Sequence, residues 1–159
     1  MTRKRRETGI EGRTRILIPL GEKINRERIT QALHILSVFS DPLVVLFQVI
    51  EVPSRTATLE PELYKDAIRN AEGRLSELSN WLSDQGIKVR TKVALARNAA
   101  EGIIAETENE NYLIIFLMKR KTKKGWKRLF SRSISQEVVR NANCLVMTAP
   151  VEQLALGSQ

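Results

Sequence analysis

The chain has 159 residues, with 26 Lys and Arg against 18 Asp and Glu, a formal net charge of +8, and a single Cys and a single His. A domain of this size buries enough surface to fold without staples. One Cys excludes an intramolecular disulfide, and one Cys with one His excludes a zinc finger. The apolar runs 43–47 and 113–118 are far too short to span a bilayer, and the stretch 8–15 is too polar for a secretory core, so a soluble cytoplasmic domain is expected.

The charge is unevenly distributed. Residues 1–15 hold six cations and two acids, and residues 119–132 hold eight cations and no acid, whereas residues 16–118 hold eleven cations and fourteen acids. The body is therefore slightly acidic, and the basic character belongs to an arm and a loop. Nucleic-acid binding is not the expectation for such a distribution.

Residues 1–14 lack periodicity and read as a flexible basic arm. Arg15–Pro19 is a short apolar run closed by Pro, hence a strand. Ile29, Ala32, Leu33, Leu36 and Phe39 recur at helical spacing, placing a helix over 24–39, and Asp41-Pro42 stops it. Leu43–Val49 is β-branched and almost wholly apolar, a strand buried on both faces. Leu63, Ala67, Ala71, Leu75, Leu78 and Leu82 then mark a long amphipathic helix over about 60–84, with Gly86 as a left-handed C-cap. Lys88–Ala94 alternates, as a half-exposed or edge strand does. Asn98 and Glu101 have the spacing of a capping box, so a helix starts there. Tyr112–Met118 is a second apolar strand. After the basic loop, a short helix from Ser133 to about Asn141 and a strand over Cys144–Thr148 complete the chain, leaving 150–159 as a tail.

Strands alternating with helices, the central ones apolar throughout, specify a parallel sheet covered on both faces. Ligands of such sheets bind beyond the carboxyl ends of the strands, where the winding reverses. Two connections qualify: Leu20-Gly21-Glu22-Lys23 after the first strand, and Lys119–Arg132 after the fourth. The second runs into the N-terminus of the Ser133 helix, whose free N–H groups suit an anion.

The segments ILIPL, NAAEGIIAE, YLIIFLM and above all RLFSRSISQEVVRNANCLVM resemble the universal stress protein family over about residues 15–149. That resemblance implies a flavodoxin-like (adenine nucleotide alpha hydrolase-like) α/β fold: five parallel strands in the order 3-2-1-4-5, with the ligand crevice between the first and fourth. It also implies homodimers through the last strand, Cys144, Leu145, Val146, Met147 and Thr148. ATP-binding members carry Gly-x2-Gly-x9-Gly-Ser/Thr after the fourth strand and an acid just after the first. With Ser133 aligned as the Ser/Thr, the glycine positions fall on Lys119, Thr122 and Arg132, and the acidic position on Gly21. The expectation is thus a non-enzymatic stress-response or regulatory domain that takes no ATP in the usual mode and has no cofactor. The alternatives are ATP or AMP in a modified crevice formed by Gly21, Lys119, Thr122, Arg132 and Ser133, and a cytosolic regulatory domain beside a membrane transporter. Cations in place of glycines can still hold an anion, or an acidic partner or leaflet, through side chains.

The remaining candidates have plainer readings. Trp126, Leu129 and Phe130 suit a fold-back over the sheet end, His34 a helix surface, Trp81 a helix edge or dimer seam, and Cys144 the core. No metal cluster, catalytic triad or Walker motif is present in the sequence.

Overall fold

The computed structural model describes residues 13–52, 58–118 and 134–149. The arm 1–12, the loop 119–132 with Ser133, and the tail 150–159 lie outside the described residues. Five strands form one parallel sheet: β1 (Arg15–Leu20), β2 (Leu43–Glu51), β3 (Lys88–Ala96), β4 (Ile114–Met118) and β5 (Leu145–Ala149), in the spatial order β3-β2-β1-β4-β5. Ile16 pairs with Val44 on one side and Ile114 on the other, so the winding reverses at β1, between β2 and β4.

Among the described residues four α-helices connect the strands: α1 (Arg26–Leu36), α2 (Lys65–Ser83), α3 (Ala99–Asn109) and α4 (Ile134–Asn141). On one face Ile16, Ile18, Val44 and Leu46 pack with Ile29 and Leu36 of α1 and Leu75 and Leu82 of α2. On the other, Leu17, Val45, Phe47 and Ile115 pack with Ile103 of α3 and Val138 of α4. Both faces of β1 and β2 are therefore desolvated, which explains their nearly unbroken apolar runs.

Several boundaries differ from those expected. α1 is shorter than 24–39: Asn25 caps it by accepting from the Arg28 N–H at 3.3 Å, and Ser37 closes it by donating from its hydroxyl to the His34 carbonyl at 2.6 Å. α2 is preceded by a 3-10 turn, Pro61–Tyr64, and the two upstream residues of its expected stripe face solvent, with Leu63 66% exposed and Ala67 also exposed. Only Ala71, Leu75, Leu78 and Leu82 of that stripe are buried. β4 begins at Ile114 rather than Tyr112, and just ahead of it Leu113 ties the chain to β1 by donating its N–H to the Arg15 carbonyl at 2.9 Å. The expected caps do form: Gly86 has φ +80°, and Asn98 accepts from the Glu101 N–H at 2.9 Å.

β3 is an edge strand, as its alternation suggested, and part of its polar side is met by carboxylates rather than by water alone. Lys92 donates to Glu106 of α3 at 2.6 Å and to Glu110, the C-cap residue of that helix, at 2.9 Å, and Arg15 and Arg90 also reach Glu110, at 3.2 and 3.4 Å. The Tyr112 hydroxyl donates to the same Glu106 oxygen at 2.5 Å. A row of inward cations on the edge strand is thus met by two carboxylates one helical turn apart.

Candidate functional site

Parallel strands place all their carboxyl ends at one end of the sheet. There β1 runs into Gly21, β4 stops at Met118, and α1 starts beside them. Gly21 is half-buried and directly follows β1. Lys119, Thr122, Arg132 and Ser133 lie outside the described residues. Their segment is anchored by Met118 at the end of β4 and by Ile134 at the start of α4.

The helix starts at this end are not equivalent. The start of α3 already holds an anion of the chain's own: Glu51, at the end of β2, accepts from the Ala99 N–H at 2.7 Å, and Asn98 satisfies the next turn. The start of α1 is capped by Asn25. Anion binding by free helix N–H groups is therefore taken up internally at α3 and in part at α1.

Two side chains near this end have polar atoms without partners. Arg28, in the first turn of α1, is half-buried; its Nε is fully buried and makes no hydrogen bond, and it has no ion-pair partner among the described residues. Gln48, in β2 beside Leu20 of β1, is 2% exposed, and its Oε1 has no donor. Sequence reasoning missed both. The signal was present for Gln48, an amide inside an apolar strand, whereas Arg28 reads as an ordinary helix-surface cation until its flank is known.

At the opposite, amino-terminal end the carboxylates of Asp41 and Glu110 each hold cations. Asp41 receives Lys88 at 2.6 Å and Arg13 at 3.1 Å, and the Lys88 hydrogen bond holds its carboxyl below the usual value. The hydrogen bond from Lys92 likewise lowers Glu110. Burial alone would lower Lys92, but its hydrogen bonds to Glu106 and Glu110 prevail and raise it. Burial, reinforced by Glu106, pushes the Tyr112 phenol up.

The two basic segments join the sheet at opposite ends: the arm enters β1 through Arg13, and the loop leaves β4 after Met118. A five-residue strand separates these ends by roughly 17 Å.

His34 is exposed in the last turn of α1. Trp81 packs at the edge of the α1–α2 cluster with the Arg26 guanidinium 5.4 Å from its ring centroid. Cys144 is half-buried rather than a core thiol, because it precedes the edge strand β5, and burial pushes its thiol above the usual value. In β5, Leu145 is 64% exposed, while Val146, Met147 and Thr148 are half-buried. Among the described residues no group of His, Cys, Asp and Glu could hold a metal, and no helix is long and apolar enough to cross a membrane.

Comparison with known proteins follows the same lines. The family model described as the universal stress protein family matches residues 12–150. Among solved structures, the hypothetical protein MJ0577 has a TM-score of 0.67 at 20% identity, covering 88% of this chain and 97% of that one. Universal stress protein UspA from Lactobacillus plantarum has a TM-score of 0.66 at 19% identity, covering 85% and 96%. A universal stress protein family protein from Arabidopsis thaliana, solved with AMP bound, has a TM-score of 0.60 at 16% identity, covering 92% and 97%. At these identities the likeness is one of fold. No curated protein sequence matches the chain.

Proposed function

Because the chain belongs to the universal stress protein family, we propose that it is a non-enzymatic, cytoplasmic regulatory domain whose crevice between the carboxyl ends of β1 and β4 takes a phosphate-bearing ligand through cationic side chains rather than a glycine nest. The observation that carries this reading is the eight cations and no acid of residues 119–132, in a segment that leaves β4 where the winding of the sheet reverses. Glycine amides approach a phosphate closely and fix its geometry, whereas Lys and Arg contribute charge with looser shape selection. The ligand is therefore selected by charge more than by the triphosphate's length.

The AMP bound to the Arabidopsis neighbour favours a nucleoside monophosphate as the first ligand to test. Titration of inorganic phosphate, AMP, ATP and an acidic polymer against the wild type and a variant with Lys119, Lys121, Lys123 and Lys124 changed to Glu decides the matter. The reading expects the phosphate compounds to bind the wild type and the variant to lose that affinity. Unchanged affinity across all probes overturns it.

The domain works as a homodimer through β5. Supporting this are the position of β5 at a sheet edge and the apolar side chains left open beside it, Leu145 at 64% and Val139 of α4 at 57% exposure. Leu145→Glu with Val139→Glu is expected to give a monomer in sedimentation. A wild type that sediments as a monomer at tens of micromolar would refute the dimer.

A further inference from the structure

We infer that the outer edge of β3 is a docking site for an extended peptide segment of a partner protein, alternating acidic and aliphatic residues, which adds to the sheet as a further strand. The site is separate from the crevice, since it uses neither Gly21 nor the basic segment. β3 pairs with β2 along its whole length, from Lys88 opposite Leu43 to Ala96 opposite Glu51, and closes that side of the sheet. Every second residue of such a strand turns its main-chain N–H and C=O away from the sheet. Among the described residues no main-chain group outside the sheet bonds to residues 88–95. Beside the carboxyl half of this edge lies a groove of about 330 Å³, lined by Leu59, Pro61, Ile68, Val93, Ala94 and Leu95. Leu59 is 38% exposed, and Ile68, Val93 and Leu95 are only half-buried, so apolar surface is left open next to the free edge.

The edge sets the chemistry of its occupant. A row of alternating main-chain donors and acceptors is satisfied by an extended chain, so the partner contributes a strand rather than a helix. The two sides of β3 then call for different side chains. Val89 and Val93 pack on the α1–α2 side, and Leu95 lines the groove, so aliphatic residues suit this side. Lys88, Arg90 and Lys92 alternate with them, and carboxylates suit the other. There Arg13, Arg15, Lys88, Arg90 and Lys92 share only Asp41, Glu106 and Glu110, which leaves a surplus of positive charge on an ion-pair network that holds its cations in place. The Arg90 side chain is 39% exposed and reaches Glu110 at 3.4 Å, so an acid on an added strand can meet it as a cross-strand pair of opposite charge. Such a surplus favours a carboxylate already held by main-chain bonds and is too small to hold a free anion alone. A second copy of this chain is the wrong occupant, because β3 against β3 sets these cations against one another, and like charges across a strand pair are destabilising.

The test titrates the full-length protein against a labelled synthetic peptide of alternating Glu and Val, nine residues long to match β3, followed by fluorescence anisotropy. Two comparison peptides are the same sequence N-methylated throughout, which removes its main-chain donors, and one of alternating Lys and Val. The Glu/Val peptide is expected to bind saturably and to shift the amides of residues 89–95. Both comparison peptides should bind about ten-fold more weakly or worse. Leu59→Glu, which puts a charge in the groove, and Arg90→Glu should each weaken the Glu/Val peptide by about five-fold or more, with thermal unfolding confirming that the variants are folded. The peptide comparisons on the wild type decide the matter even if a variant does not fold. No saturable binding at millimolar peptide, equal binding of the N-methylated peptide, or shifts confined to β5 would overturn the inference. So would amide protection of residues 89–95 that rises with protein concentration alone in Leu145→Glu with Val139→Glu, since the occupant would then be a second copy. None of these outcomes depends on AMP or phosphate binding, so the crevice reading stands or falls apart from them.

Discussion

The two ends of the sheet handle charge in opposite ways. At the amino-terminal end Asp41 is shared by Arg13 and Lys88, and the half of the sheet below α3 carries a network in which Lys92, Arg15 and Arg90 meet Glu106 and Glu110. At the carboxyl end the internal carboxylate Glu51 is used on α3, while Arg28 keeps a buried Nε with no acceptor and Gln48 a buried oxygen with no donor. Charges that have settled one another stabilise the domain and leave nothing to offer a ligand. Charges without partners cost stability and are available to one. The difference separates the structural from the functional use of a basic composition, which the net charge of +8 cannot do.

The strongest way to break the amino-terminal half of that comparison is to remove Glu106. It is 6% exposed and holds both Lys92 and Tyr112. Glu106→Ala leaves the buried Tyr112 hydroxyl without its acceptor and the half-buried Lys92 ammonium with Glu110 alone, and should lower unfolding stability by about 3 kcal/mol in urea. A loss below about 1 kcal/mol would mean the network is ornamental.

Next in size is Gly102. A Cβ there would lie 2.6 Å from one methyl of Val49 and 2.9 Å from the other, so Gly102→Ala should cost about 2 kcal/mol by overpacking where α3 meets β2. Val49→Ala should recover most of that cost in the double variant, and simple additivity of the two changes would contradict the packing account.

The pH dependence follows from the same network. Glu110 titrates below its ordinary value of 4.5, so its contribution is complete above that value and is lost as pH falls through the lowered one. Lys92 titrates above 10.5, so its contribution is complete below that value and is lost as pH rises through the raised one. Glu110→Gln should flatten the acid limb of a stability profile and leave the plateau near neutrality flat. An unchanged acid limb would place the acid sensitivity elsewhere.

The smallest effect is expected at the carboxyl end, and with the opposite sign. Gln48→Leu removes a buried acceptor that has no donor and should be neutral or stabilising by up to about 1 kcal/mol. A marked loss of stability would show that Gln48 has a partner in solution.

Much of the fold was legible in the sequence because the deciding signals are local. The apolar strands, Gly86 at the end of α2 and Asn98 ahead of α3 each declare themselves within a few residues. The strand order came from the resemblance of the ending around Val138–Cys144, and the sheet has that order. The overhanging start of α2 was not legible, since Leu63 continues the periodicity whether or not there is a sheet beneath it. Nor was the pairing of β3 with α3, because alternation shows a polar side without saying what covers it. Gly21 directly follows β1, and Met118 and Ile134 bound the basic segment on either side.

The central claim is that the carboxyl end takes a phosphate-bearing ligand and the amino-terminal end does not. Amide chemical-shift mapping with AMP on the uniformly labelled protein tests it most directly. The account predicts saturable shifts at Gly21 and Met118, with Arg13, Asp41 and Glu110 unmoved. Saturable shifts confined to the Arg13–Asp41–Lys88 end, or no shifts at millimolar AMP, would contradict it.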